Sequence, residues 1–576
     1  MGHGAVVPLT IDARVMRDER TDVASRVRAR VEHLFAPGPE TPGRLWPRWI
    51  LLRALGIIFF SAFYSLASQI HGLIGERGIL PAGSYLYEIA RASPGLVRFW
   101  VAPTLLWANA GDAALTALIA AGVVCSVLLT VNVWPRLTVA LCTLLFMSCV
   151  GALQDFSSYQ SDGMLLEAGF ISTFFAPRGI RPGLGASDPP SRASLFLLQF
   201  EWFRIYFESG VAKIRGGDPH WRNLTAMDTY YENGPLPTWL GWYVQQFPHA
   251  YHAATALLTL VIELVVVWAI FMPRRFRIAC FLIVTPLQLG IIATANYAFL
   301  NYLVLVLGVL LLDDEFLARV GLRAPAAAPR PAPSEAPPEP VPATLPDAQS
   351  DLQLEAWPDA RPDARPDTRP DRSAVPAVAR PAPALRTWTA AVALGLVFYA
   401  TLAAALPDAL GPLKLPARAL GHLRIANHYG LFGIMTEARY EIEFQGTRDG
   451  RTWLTYPFRY KPQDPGEAPG IFAPYQPRFD WNLWFASLDH WRASPWVVQA
   501  QARLLENSPS VLALFERNPF PDRPPTQVRT VLWQYWFTDR ATKRATGQWW
   551  RRRELGPFSG VLTRGADGKL ILAGSP

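Results

Sequence analysis

Between Tyr206 and Trp221 the chain reads YFESGVAKIRGGDPHW, directly after an apolar stretch that begins near Leu195. Glu201, Arg204, Glu208, Lys213, Asp218, His220 and Trp221 lie in or beside it. A charge at membrane depth is costly, so such a charge is either paired or functional. On a helix, Arg204 and Glu208 stand four residues apart and Glu201 three before Arg204, which allows a self-neutralising cluster. The second reading is a polar cavity open at the outer end of this helix, lined by Asp162, Glu167, Glu201, Arg204 and Trp221. Lys213, Asp218 and His220 would stand at the mouth of that cavity, with Glu208 one turn before Lys213. A boundary lysine that snorkels to the headgroups is the plainer role for Lys213. Glu263 is a further carboxylate in need of a partner.

These residues need spans to hold them. The chain has 576 residues, 51% hydrophobic and 17% charged, with the apolar residues bunched into runs. Runs over 50–70, 112–132, 137–154, 193–213, 251–272, 277–294, 297–312 and 387–406 read as transmembrane helices, most of them within the ~17–25 residues a crossing needs. The run 163–177 is shorter and holds Glu167; the run 96–109 is shorter still, contains Pro103, and reads as re-entrant or interfacial. The first apolar run starts only at Trp49, so it is expected to anchor rather than to be cleaved. Basic residues exceed acidic ones by 54 to 46 without a Lys/Arg stripe interleaved with aromatics. The expected partner is therefore the lipid bilayer and not nucleic acid.

Several chemistries are excluded by motif. Cys125, Cys142, Cys149 and Cys280 all lie in apolar runs without a CxxC, which argues against a thiol-oxidoreductase site, a zinc knuckle or a disulfide-stapled exterior. No GxSxG, GxxxxGK[ST] or HExxH occurs. No internal repeat supports a transporter. His249 and His252, three apart, read as interfacial residues rather than metal ligands. No metal and no cofactor is expected.

The positive-inside bias sets an expected orientation. Residues 1–49 are Arg-rich and cytoplasmic, with RVRARVEHLF (26–35) a helix on the membrane or in solvent. The bundle would occupy 50–312, with Arg136, PRGIRPG (177–183) and PRRFR (273–277) inside and 154–162 and 215–250 outside. The Pro/Ala-rich stretch 313–386 reads as a disordered cytoplasmic linker. After a last span at 387–406, residues 407–576 read as an exoplasmic β-rich domain. RYEIEFQ (439–445) and RTWLTYPFRY (451–460) around GTRDG predict a hairpin with one buried face. In FDWNLWFASL (479–488), Asp480 is expected to cap a helix whose Trp481, Trp484, Phe485 and Leu488 share a stripe. VRTVLWQYWF (528–537) alternates as a strand. Residues 415–576 thus read as a unit able to fold alone. The fold class is a polytopic α-helical membrane protein with a C-terminal exoplasmic β-rich (α+β) domain.

SYQSDGMLLEAGF (158–170), SGVAKIRGGDPHWRNLTAMDTYYENGPLPTW (209–239), NHYGLFGIMTEARYEIEFQGTRDGRTW (427–453) and PYQPRFDWNLWFASL (474–488) together resemble the lipase maturation factor family. The resemblance covers nearly the whole chain apart from the N-terminal tail and the linker. It implies a maturation or folding factor for secreted lipases or other exported proteins, acting through a C-terminal domain on the lumenal side of the endoplasmic reticulum membrane in eukaryotic members. Trp481, Trp484 and Phe485 would then contact the client. The Arg/Ala/Pro-heavy composition points to a bacterial inner membrane with that domain in the periplasm. YFESGVAKI (206–214) is also similar to the segment carrying the catalytic lysine of the vitamin K-dependent gamma-carboxylase family. This second resemblance would extend the superfamily of horizontally transferred transmembrane domains over 50–312. It implies a membrane enzyme acting on a lipid-soluble, quinone-like substrate, with Lys213 as a base kept neutral by a dry site and Glu208, Asp218 and His220 as further catalytic candidates beside it.

Overall fold

The computed structural model describes residues 26–36, 43–324, 384–404 and 408–574. Bundle helices α1 (Leu45–Ala67), α2 (Asp112–Thr130), α3 (Pro135–Val150), α4 (Gln160–Phe175), α5 (Arg192–Arg215), α6 (His249–Leu264), α7 (Arg274–Thr294), α8 (Leu300–Gly308) and α9 (Ala384–Ala404) run between two ends. Five of the apolar segments are long enough to cross a membrane: Leu45–Ala67, Asp112–Thr130, His249–Phe271, Arg274–Thr294 and Leu385–Ala404. The first is two-thirds buried (67%) and the fourth only 17%, so α1 is the axis of the bundle and α7 is left for lipid. Gly122 lets α2 close on α1, since a Cβ there would stand 2.4 Å from the Phe63 ring.

Helix α1 begins at Leu45, five residues before the apolar run, because the Asp314 carboxylate accepts the N–H groups of Leu45 (2.9 Å) and Trp46 (2.8 Å). The same end of the bundle gathers Arg48 on the carbonyls of Leu184, Gly185 and Asp188, and Arg274 on Asp313. Asp313 caps a helix over Asp314–Arg319, so ordered structure continues past 313 into the stretch expected to be linker. Most of that stretch, 325–383, lies outside the described residues, as do 1–25. Residues 26–35 are helical. The run 96–109 does not span: it folds as a single short helix Val97–Val101 and a 3-10 turn Leu105–Trp107.

The C-terminal part holds a five-stranded antiparallel sheet in the order β2–β1–β3–β4–β5, from β1 (Arg439–Thr447), β2 (Leu454–Thr455), β3 (Gln527–Phe537), β4 (Trp550–Arg564) and β5 (Leu570–Ala573). Helices α10 (Arg478–Ala486) and α11 (Trp496–Leu505) pack against it. Three expectations change. The hairpin exists, but β2 is two residues long, and the main partner of β1 is β3, from Arg439↔Tyr535 to Thr447↔Gln527. Strand β1 is buried on both faces, its polar face included, because Glu441 pairs with Arg439 and Lys461, and Glu443 faces Arg552. Asp480 does not cap α10; it is buried in the first turn, 3.3 Å from the N–H groups of both Tyr460 and Lys461.

The sheet does not stand apart from the bundle. Both belong to one compact unit, and the joints are buried. Arg478, fully buried, donates two 2.8 Å hydrogen bonds to Asp162 on α4 and a third to the Phe156 carbonyl. Arg439 donates to the carbonyls of Glu232, Gly234 and Pro235 in the segment between α5 and α6. Asn296 binds the backbone of Gly470, Phe472 and Ala473. These three contacts argue against 415–576 as a free-standing unit.

Candidate functional site

Residues 425–438 form neither helix nor strand. An irregular buried backbone must find partners for each N–H and C=O, and here the bundle's polar side chains supply them. On α4, Glu167 accepts the N–H (3.1 Å) and side-chain amide (3.0 Å) of Asn427 and the hydroxyl of Tyr429 (2.9 Å). Gly163, one turn earlier, has no side chain to block Asn427, whose Oδ1 would lie 2.6 Å from a Cβ there. On α5, Arg204 pairs with Glu167 and donates to the Asn427 carbonyl at 2.6 Å. Glu208 accepts the Tyr429 N–H at 2.7 Å, and Ser209 the Leu431 N–H at 3.1 Å. Lys213, 2% exposed, donates to the Leu431 carbonyl and to Glu263 of α6, both at 2.9 Å, with the Trp221 ring 5.0 Å from its ammonium.

The loop after α5 continues the pattern. Trp221 donates its indole N–H to the Phe432 carbonyl at 2.9 Å. Asp218 accepts the Met435 N–H at 2.6 Å and, with its other oxygen, the His220 N–H that starts a short helix. His220 holds Thr225 at 3.0 Å and stands 4.0 Å from Glu437. The four residues expected to do catalysis, Lys213, Glu208, Asp218 and His220, are therefore brought together along one strand of chain. What they enclose is the protein's own backbone from 427 to 437. The expected cavity is filled.

Of the cavity residues, Glu167, Arg204 and Trp221 belong to this clasp, and Asp162 belongs to the Arg478 joint. Glu201 is fully buried, and neither carboxylate oxygen has a hydrogen-bond partner among the described residues. Glu208 reaches Arg204 only at 3.9 Å, and its stronger contacts are Tyr429 and, at 3.1 Å, His428. That contact raises the His428 pKa above the usual histidine value, because a carboxylate accepts from the ring. A boundary lysine reaching headgroups does not describe Lys213, and neither does an unpaired base, since Glu263 and Leu431 occupy its ammonium.

The aromatic stripe on α10 splits. Trp481 and Trp484 are buried, the first against Tyr159 and the second with its indole N–H on the Asn233 carbonyl, so they do not present a client-facing surface. Phe485 is 46% exposed. His252 is buried between Tyr231 and Tyr251, and His249 meets Asp228 at 3.0 Å. No cluster of metal-ligating residues occurs among the described residues. The residues that sequence reasoning missed are the other halves of the joints: Asn427, Tyr429, Arg439 and Arg478. Their only signal was membership of the motifs NHYG, ARYE and PRFDW.

The first two motif stretches, on the bundle, hold the last two, and the comparisons follow the same division. The profile described as the lipase maturation factor transmembrane domain matches residues 46–319, and that of the lipase maturation factor C-terminal domain matches 425–559. The second match opens at Ile425, where the clasped segment begins. The chain is 32% identical over 544 residues to lipase maturation factor 1 of Bos taurus, covering 92% of this chain and 91% of that protein. It is 31% identical to lipase maturation factor 2 of Homo sapiens (90% and 82%) and 30% identical to lipase maturation factor 1 of Mus musculus (95% and 94%). No solved structure matches.

Proposed function

The chain belongs to the lipase maturation factor family, and from that membership we propose that it is a membrane protein that helps secreted lipases, or other exported proteins, reach their active form. The observation that carries this reading is the pair of family matches, in order, on the two parts that the buried joints lock together. The enzyme alternative finds no support. The ammonium of Lys213 is paired with Glu263, and neither of the two cavities beside residues 421–424 is lined by Lys213, Glu208, Asp218 or His220.

The finer reading places the protein in a bacterial inner membrane with the sheet domain in the periplasm. It is supported by the gathering of Arg44, Arg48, Arg136 and Arg274 at one end of the bundle, opposite the end that holds 427–437. On that reading the client meets Phe485 at the end of α10 and Leu488 just past it, both exposed, rather than the buried tryptophans. Deleting the gene and assaying secreted lipases tests the function. The expected result is a loss of activity per unit of lipase protein while transcripts persist. Unchanged specific activity in every secreted lipase would end the proposal.

A further inference from the structure

Two cavities of about 240 Å3 each lie on the face of the bundle beside residues 421–424, and both are lined by Gly421 and Arg424. One is bordered by Val101, Met147 and Gln154, the other by Gln160, Asn427 and His428. Their walls come from elements at the same end of the bundle. Val101 ends the short helix that precedes α2, Gln154 and Gln160 bracket the turn between α3 and α4, and Gly421 ends the helix Leu415–Gly421 that follows α9. Gln154 lies four residues past α3 and Gln160 opens α4, while Val101 and Leu415 each stand eleven residues from α2 and α9, so the cavities lie at the ends of bundle helices, where a bilayer's headgroups would begin.

The segments that supply the walls also carry exposed apolar side chains: Leu96, Val97, Phe99, Trp100 and Leu105 around Val101 and Pro103, and Leu413 and Leu415 ahead of Gly421. Side chains of this kind in water would be a liability, whereas beside two spans they belong in acyl chains. Arg424 is a different matter. Its guanidinium donates to the Ser157 carbonyl, but no carboxylate lies within ion-pair distance among the described residues. The two carboxylates of α4 are spent, Asp162 on Arg478 and Glu167 on Arg204. Its backbone is left-handed (φ +52°), a conformation that an arginine adopts only at a cost. Burial lowers its pKa from the usual guanidinium value, with Asp162 opposing. A half-buried cation without a counter-charge that lines two cavities is a site for an anion.

We propose that the two cavities flanking Arg424 hold the headgroup of an anionic phospholipid, with its phosphate on Arg424 and its acyl chains laid along residues 96–105. The site borders the clasp, sharing Asn427 and His428 with it, but does not depend on the maturation role. Bound lipid would tie the interfacial segment 96–105 to residues 421–424 and so brace the entry to the clasped segment.

The test uses the full chain in an uncharged detergent, with dihexanoyl-phosphatidylglycerol, dihexanoyl-phosphatidylcholine and inorganic phosphate as probes, read by thermal shift and native mass spectrometry. Phosphatidylglycerol should bind and raise the melting temperature, and the other two should do so only weakly. Arg424→Asn removes the charge with a residue that tolerates positive φ, and should weaken phosphatidylglycerol binding roughly 10–100-fold, the loss of a charge-assisted hydrogen bond. Should Arg424→Asn lose its own unliganded transition, Val101→Trp decides: it narrows the cavity, keeps every charge, and should also abolish binding. Equal phosphatidylglycerol binding by the wild type and a folded Arg424→Asn, or by Val101→Trp, would overturn the site. Inorganic phosphate or phosphatidylcholine binding as well as phosphatidylglycerol would overturn its assignment to an anionic lipid.

Discussion

Lys213 is a costly choice in the bundle, an ammonium with almost no solvent, balanced by Glu263 and a single carbonyl. Breaking such a pair from one side leaves the other charge stranded, at a cost of about 3–5 kcal/mol, whereas replacing both partners with apolar atoms of similar volume is often neutral. Lys213→Met should therefore lower the melting temperature of the purified protein sharply, and Lys213→Met with Glu263→Met should recover most of the loss. A Lys213→Met protein that melts like the wild type yet fails in lipase maturation would return the lysine to a functional role. Asp480 makes a second residue-level case. Burial pushes its carboxyl up to about 7, with Lys461 and two backbone N–H groups opposing. The folded state then keeps a proton that the unfolded chain has released, so stability falls as pH rises from the ordinary aspartate range through about 7. Asp480→Asn should flatten that decline, and wild-type and variant melting curves at pH 5 and pH 8 measure it. The cost of buried charge is legible in the sequence, and Glu167, Arg204, Lys213 and Glu263 stand out for that reason alone. Their partners are not legible, because Asn427 lies 260 positions from Glu167 and Leu431 lies 218 from Lys213.

At the scale of elements, apolar length and strand alternation were enough to find most of the spans and β3, since both are local properties of the chain. Burial of the polar face of β1 was not, because that face is covered by Lys461, Gln463 and Arg552 from elsewhere in the chain. The same dependence decides how the C-terminal part behaves when cut free. Arg439 and Arg478 are fully buried, and their acceptors are mostly bundle groups: the carbonyls of Glu232, Gly234 and Pro235 for one, Asp162 and Phe156 for the other. Without the bundle, two guanidinium groups lose most of their partners inside an apolar core, and each unsatisfied charged group costs at least ~1–3 kcal/mol. A fragment of 415–576 is accordingly expected to be molten or aggregated, with poorly dispersed amide spectra and no sharp thermal transition. A cooperative melt from that fragment would mean that the sheet carries its own core and that the joints only dock it.

For the molecule as a whole, the two ends of the bundle differ in kind. One is fastened by arginines on carbonyls and carboxylates: Arg48 on 184–188, Arg136 on Ala176, Arg274 on Asp313. The other receives the clasped segment and the sheet. Lys and Arg in short loops set orientation, while charges in a long translocated domain count for little, so Arg551–Arg553 on β4 do not argue against export of the sheet. Exposed positions at the two ends make the arrangement measurable: Ile180 is 60% and Leu570 43% exposed. In a background with Cys125, Cys142, Cys149 and Cys280 replaced, Leu570→Cys should react with a membrane-impermeant thiol reagent in intact spheroplasts, and Ile180→Cys only after lysis. Labelling of Ile180→Cys alone before lysis would invert the molecule and put the sheet on the cytoplasmic side, away from any exported client. The maturation role would then have to be given up along with the topology, because α10 and the clasped segment would face the wrong compartment.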